Sequence, residues 1–313
     1  MVQKNYASVS GLLEGYYQER DNALHIRQKA HDIRRLVLSN IERCVKKKDI
    51  QQKTLRDTQG MQAWKKKGEL ITANIYAVSQ GMTTFRTVDF YDENMAEIEI
   101  ALDPTKTPAE NAQKYFAKYN KAKRTLAALE IQQKQNDEEL EYLESVLNAL
   151  ENAVDDADLS EIRTELAESG FIRRQPQKKG AARPKKAKPL HFVSSDGYDI
   201  FVGKSNLQND ELTLRTAEST DIWMHAKNIP GSHVIIRTNG TGEAPDTTLE
   251  EAANLAAYFS KAKNSSMVPI DYTQRKNVKK PSGAKPGMVI YLTNRTIYIT
   301  PDEGRAERLK AES

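Results

Sequence analysis

Two short stretches carry the side chains best suited to chemistry. Asp221, Trp223 and His225 alternate along a run that reads as a β-strand, so an acid, an indole and an imidazole share one face while Ile222 and Met224 take the other. Such a face can stack unpaired bases on its rings and accept a hydrogen bond from a ribose hydroxyl or base amine at its carboxylate. The same pattern also suits a core tryptophan beside a His225 satisfied by Asp221. Pro230-Gly231-Ser232-His233 follows, a turn that lets backbone approach a ligand and brings His233 near the preceding strand. Ser232 lacks the G-x-S-x-G elbow of a nucleophile. Cys44, the single cysteine, and two distant histidines do not supply zinc spacings. No catalytic residue, metal or cofactor is therefore expected.

The second stretch, Asp271 to Gly287, places Arg275, Lys276, Lys279, Lys280 and Lys285 on a loop rich in glycine and proline. Its natural use is phosphate binding, with Tyr272 or Gln274 reaching a base or sugar. The Gly-x-x-x-x-Gly-Lys-Ser/Thr pattern of a P-loop is absent. The alternative use is a solvated loop. Lys46 to Lys48 and Lys65 to Lys67 are triplets on a helix, where consecutive residues spread around the surface; the second lies nearer a tip and is the better patch.

The elements that must position these residues fall into two textures. Ile26, Ala30, Ile33, Val37, Asn40 and Cys44 recur at steps of four and three, and a fuller seam runs from Tyr115 through Ala122, Leu129, Asn136 and Leu143 to Val154. Both are coiled-coil seams with polar positions that fix register. Antiparallel pairing would set Gln133 and Asn136 level with Lys47 and Gln51, in an arm of roughly 60 Å. Between the helices, Thr84 to Tyr91 and Glu97 to Leu102 alternate around Asp92-Glu93-Asn94 and read as a β-hairpin tip within 69–104. Asp158 to Glu168 reads as a short helix ended by Gly170 and capped by Asp158 or Ser160.

Residues 173–189 form a linker with Arg173, Arg174, Lys178, Lys179, Arg183, Lys185, Lys186 and Lys188 and no acid, suited either to an open solvated hinge or to phosphate contact. Periodicity then changes to two. His191 to Ser195 and Tyr198 to Gly203 make a hairpin at Asp196-Gly197, and strands follow at Asp221, Ser232, Met267, Met288 and Thr296, interrupted by one helix over Thr248 to Lys263. The expected fold is α+β: a long antiparallel coiled-coil arm over 1–172 with its hairpin tip, the linker, a compact α+β domain over 190–303 and a tail over 304–313.

The 313 residues suit two domains, and no apolar run approaches the roughly 20 residues of a membrane span. Lys and Arg number 47 against 43 Asp and Glu, so nucleic-acid affinity must come from where charges sit, since the net is only +4. With one cysteine and no signal peptide at Met1 to Gly15, a cytoplasmic setting is expected.

The chain resembles the C-terminal half of the NFACT proteins, the RqcH-type ribosome quality control factors also described as fibronectin-binding protein A-like. In the arm the resemblance rests on Gly68-Glu69-Leu70-Ile71, Asn74, Leu102-Asp103-Pro104 and Asn111 through Lys121. In the last domain it rests on Asn206, Asn209-Asp210, Asp221-Ile222-Trp223, His225, Pro230 to Val234, Glu251-Ala252-Ala253 and Arg275 through Pro281. It implies a coiled-coil middle domain followed by an NFACT-R domain that binds RNA. It further implies a full-length protein on the large ribosomal subunit, contacting rRNA and the stalk-base protein, holding tRNA and recruiting alanyl-tRNA for template-free alanine tailing. On this resemblance the family's N-terminal domain, and most or all of its helix-hairpin-helix region, are expected to have no counterpart among these residues. The expected function is thus a non-catalytic RNA and ribosome binding module. Asp221, Trp223, His225, Ser232 and His233 are its candidates for sugar or base contact, and Arg275, Lys276, Lys279 and Lys280 for phosphate. An adhesin binding fibronectin is the alternative, set against the absence of an export signal; an RNA-modifying enzyme or nuclease lacks an acid, base or metal cluster.

Overall fold

A computed structural model describes residues 8–173 and 187–311. The chain forms two compact units, residues 43–139 and residues 1–42 with 140–313. It is α+β, with a long helical arm followed by a sheet domain, as the two textures require. No described helix is long and apolar enough to cross a membrane. Most of the expected basic linker, including Arg174, Lys178, Lys179, Arg183, Lys185 and Lys186, lies outside the described residues.

Helices α1 (Val9–Thr58) and α3 (Pro108–Asn152) run through both units. In the first unit Asn136 donates its amide to the Cys44 carbonyl at 2.9 Å, flanked by Lys48–Asp137 and Arg43–Glu139 ion pairs. The register is antiparallel, with Asn136 facing Cys44, close to the expected level of Lys47 and Gln51. Helix α2 (Met61–Ala73) starts after a break at Gly60, and the tip hairpin pairs β1 (Thr84–Val88) with β2 (Glu97–Ala101). Leu70, Ile71, Phe85, Ile100 and Tyr115 form its core, and the Tyr115 hydroxyl donates to the Ala101 carbonyl at 2.7 Å. Gly68 lets the Phe116 ring lie against α2, because a Cβ there would sit 2.9 Å from it. Thr107 and Glu110 cap α3 reciprocally, with Pro108 in the first turn.

In the second unit α3 buries a broad face, including Tyr142, Leu143, Val146 and Ala149. Val154, expected in the seam, lies beyond the helix end and is exposed. Helix α4 (Asp156–Glu168) is capped by Asp155, whose carboxylate accepts from Asp158 N at 2.8 Å; Asp158 turns inward instead of capping.

The sheet domain has six antiparallel strands: β3 (Leu190–Val193), β4 (Asp199–Val202), β5 (Ile222–Ala226), β6 (Val234–Ile236), β7 (Val268–Gln274) and, after the ribbon strands β8 (Val278–Lys279) and β9 (Ile290–Tyr291), β10 (Arg295–Ile299). Their order is β10-β7-β5-β6-β4-β3. The β3–β4 hairpin turns at Asp196-Gly197, where Gly197 takes φ +81°. Ile222, Met224, Val234, Ile236 and Ile270 face helix α6 (Asp246–Tyr258) and its Ala252, Leu255 and Ala256. Trp223 and Ile235 face the other way, roofed by Leu212 and Val278. Met288 to Leu292, read as a sheet strand, instead supplies β9, which pairs with β8 outside the main sheet. Helix α5 (Asn206–Glu211) runs into a π-helical turn, Leu212–Thr216. Within the segment expected as a tail, helix α7 (Glu303–Arg308) forms and Ala306 and Leu309 are buried.

Candidate nucleic-acid interface

The alternation of β5 does set Trp223 and His225 side by side, their rings stacked at 5.8 Å between centroids. His233 meets both edge-on, at 5.2 and 5.3 Å, and Tyr291 leans on Trp223 at 4.8 Å. Four rings from β5, the Pro-Gly-Ser-His turn and β9 thus form one cluster. Trp223 is fully buried at its centre, and its indole N–H has no partner among the described residues.

Asp221 is equally buried and does not touch His225. Its carboxylate accepts from the backbone N–H of Glu218 (2.8 Å) and Thr238 (3.0 Å) and from Arg237 (3.3 Å), fastening the entrance to β5. Ser232 is buried and its N–H donates to the Phe259 carbonyl at 3.2 Å. His233 is buried too, with Nδ1 2.7 Å from the Thr213 hydroxyl and its N–H donating to Asn209 Oδ1 at 3.0 Å. Asp221 and His233 through their side chains and Ser232 through its backbone hold the site together from beneath, as does the buried Trp223. Only His225 of this group keeps partial exposure.

Burial lowers the His225 imidazole to about 4, against smaller opposing effects of a hydrogen bond at Gly231 and the Asp271 carboxylate. Burial also carries His233 well below its usual value, with His225 adding to the effect. Both rings are uncharged at neutral pH. His225 opens on a cleft of about 160 Å³ bordered by Tyr142, Ser145, Pro230, Met288 and Tyr291. The Tyr291 hydroxyl donates to Asp271 at 2.8 Å, and burial together with that carboxylate raises its pKa. The cleft is thus ringed by π surfaces with uncharged imidazoles, and Glu141 and Asn206 also line it, a chemistry that suits a flat uncharged group better than a phosphate.

The four basic candidates divide. Arg275 is half-buried and donates through Nε and Nη2 to the carbonyls of Thr213 and Leu214 at 2.7 and 2.8 Å. Lys280 is paired with Asp210. Lys276 and Lys279 are exposed on the turn that these two anchors hold. Lys285 of the same segment lies over the Tyr142 and Phe171 rings at 4.4 and 4.9 Å.

Helix α5, which was not anticipated, organises all of this. Asn206 donates to Ser145 at 2.8 Å and to Glu165 at 2.9 Å, and Gln208 donates to Glu161 at 2.9 Å. Asn209 holds His233, and Asp210 holds Lys280. Beside them Lys204 and Asp158 form a buried ion pair. Burial raises the Glu165 carboxyl to about 7, Asn206 and Tyr142 opposing through hydrogen bonds and Glu161 and Asp210 adding to it. Gly287 must be glycine, since it takes φ +78° and a Cβ would come 2.6 Å from Asn206 Oδ1. The one available signal for α5 was Ser205-x-x-Gln208: the Ser205 hydroxyl accepts from Gln208 N, and Gln208 Oε1 accepts from Lys204 N.

The sheet domain thus carries an anchored basic turn with two exposed lysines and, near it, an aromatic cleft. The family model described as NFACT protein RNA binding domain matches residues 188–291, and that described as NFACT N-terminal and middle domains matches residues 1–186. The chain belongs to the NFACT family. It is 42% identical over 309 residues to the Rqc2 homolog RqcH of Bacillus subtilis, covering 98% of this chain and 53% of that protein. It is 38% identical to the Rqc2 homolog RqcH of Streptococcus suis, covering 98% of this chain and 54% of that one. The chain thus spans about half the length of these curated relatives. The solved structure of the C-terminal of the fibronectin/fibrinogen-binding protein from Streptococcus suis superposes with a TM-score of 0.70 at 35% identity, covering 91% of this chain and 99% of that one.

Proposed function

We propose that this chain is a non-catalytic RNA and ribosome binding module of a cytoplasmic ribosome quality control factor. It binds the large ribosomal subunit and tRNA or rRNA, and within a full-length protein it supports template-free alanine tailing from alanyl-tRNA, the peptide chemistry belonging to the ribosome. The observation that carries this reading is the exposure of Lys276 and Lys279 on a turn anchored by Arg275 and Lys280, near the aromatic cleft. The two exposed lysines neutralise phosphates, and the cleft at His225 takes a base or sugar edge. Asp221, Trp223, Ser232 and His233 act through position. The test is binding of the purified chain to isolated large subunits and to tRNA across a salt series. Lys276→Ala with Lys279→Ala should lower affinity and flatten the slope of log affinity against log salt by about 1.5 to 2. An unchanged slope would remove the phosphate role, and binding to neither RNA would overturn the reading.

A second reading, fibronectin binding, is favoured by one observation, the likeness to the C-terminal part of the Streptococcus suis fibronectin/fibrinogen-binding protein. Retention of the chain on immobilised fibronectin that tRNA does not compete away would support it.

A further inference from the structure

The sheet face that carries Trp223 is roofed only over part of its width. Beyond the roof, the residue that follows β6 and strands β4 and β3 each contribute one planar group. The Arg237 guanidinium lies over the Phe201 ring at 5.9 Å, and the His191 ring stacks on Phe201 at 4.8 Å with only 10° between planes. Since β4 lies between β6 and β3, Phe201 is the middle layer of a three-layer stack that ends on His191. His191 is locked in place by Asp199, Nε2 to Oδ1 2.7 Å, yet the two side chains remain 43% and 52% exposed. Next to it, on the far side of β3, the chain runs past at Ala311, whose N–H donates to the His191 carbonyl at 3.2 Å and whose side chain is a single methyl.

We infer that this open stack, His191 on Phe201 on Arg237, is a second RNA contact that takes one unpaired nucleobase on the His191 ring. Three features select that ligand. A preordered π stack with an exposed terminal ring offers sequence-tolerant stacking to any base. The Asp199 carboxylate beside the ring repels a phosphate but can accept from the amino edge of cytosine or adenine. A cation stands nearby for the backbone that follows the base: Lys188 is exposed two residues before β3. Strand spacing puts β3 about 14 Å from β5, so the stack and the cleft at His225 can engage different nucleotides of one strand. This inference rests on the reading that the domain binds RNA.

The experiment compares a single-stranded oligoadenylate with the same backbone made abasic, on the wild-type chain and on His191→Ala and His191→Phe, at several salt concentrations. His191→Ala should weaken oligoadenylate binding by about 5- to 100-fold with an unchanged salt slope, and His191→Phe should restore it. The advantage of oligoadenylate over the abasic strand should shrink in His191→Ala. Equal binding of both strands by wild type, with a steep salt slope, would overturn the stacking site and leave phosphate binding intact. A Phe variant no better than Ala would also overturn it. Failure of both strands to bind would remove the RNA reading and this site together. Because the abasic comparison uses wild-type protein, it decides the matter even if a variant fails to fold.

Discussion

Lys204 and Asp158 meet at 2.7 Å with side chains only 5% and 1% exposed, joining α4 to the strand-to-helix turn before α5. Removing one partner of such a pair leaves an uncompensated buried charge, which costs more than the intact pair contributes. Lys204→Met should therefore destabilise the chain by about 3–5 kcal/mol in urea unfolding. Replacing both residues by apolar ones should recover much of that loss. A single variant within about 0.5 kcal/mol of wild type would show that Asp158 reaches water and that the junction is loose.

Glu165 makes the same junction sensitive to pH. Burial lifts its folded pKa from an ordinary 4.5 to about 7. Between those values the folded state holds a proton that the unfolded state has lost, so stability declines as pH rises through the window and levels off above it. The slope is at most about 1.4 kcal/mol per pH unit. Glu165→Gln keeps an oxygen for Asn206 and removes the titration. Thermal unfolding at pH 5, 6 and 7 should show a smaller decline for the variant; parallel curves would place the proton elsewhere.

What could be read in advance followed periodicity. The alternation Ile222, Met224 against Trp223, His225 gave the two sheet faces, the Asp196-Gly197 pair gave the first hairpin, and the seam through Ala122, Leu129 and Asn136 gave the arm. Elements too short to show a period were not legible. Helix α5 has six residues and β8 and β9 two each, held by tertiary contacts and not by pattern. The site divided along the same line. Residue types marked out Trp223, His225 and His233, but type alone could not tell that Asp221 would turn to Glu218 and Thr238, or that of four cations Arg275 and Lys280 would be tied while Lys276 and Lys279 face solvent. The tying of Arg275 and Lys280 depends on the π-helical turn and α5, which no periodicity announced.

That division of the basic turn has an energetic signature. Arg275 covers two carbonyls at the end of the π-helical turn, and leaving buried acceptors unpaired costs about 1–3 kcal/mol. Arg275→Ala should lower stability by that amount, whereas Lys276→Ala should stay within about 0.5 kcal/mol. Urea unfolding of both separates them. Equal effects would mean that the Arg275 clamp contributes nothing to holding the turn.

In the arm, Cys44 is the single cysteine and is 1% exposed. Burial raises its thiol pKa, with Glu139 adding to the effect, so it should react with a thiol reagent only when the helix pair opens. Asn136, which faces it, donates one amide hydrogen bond to the Cys44 carbonyl while its Oδ1 stays buried without a partner among the described residues. A polar seam residue of this kind specifies register at a cost in stability. Asn136→Leu removes the unpaired acceptor and adds apolar burial, and the Lys48–Asp137 and Arg43–Glu139 pairs remain to hold the register. Labelling of Cys44 in native buffer should then slow by about tenfold, equivalent to ~1.4 kcal/mol of added opening cost. Both proteins should label at one rate once unfolded in urea. Faster native labelling of the variant would show instead that the Asn136 hydrogen bond is what keeps this stretch of the arm closed.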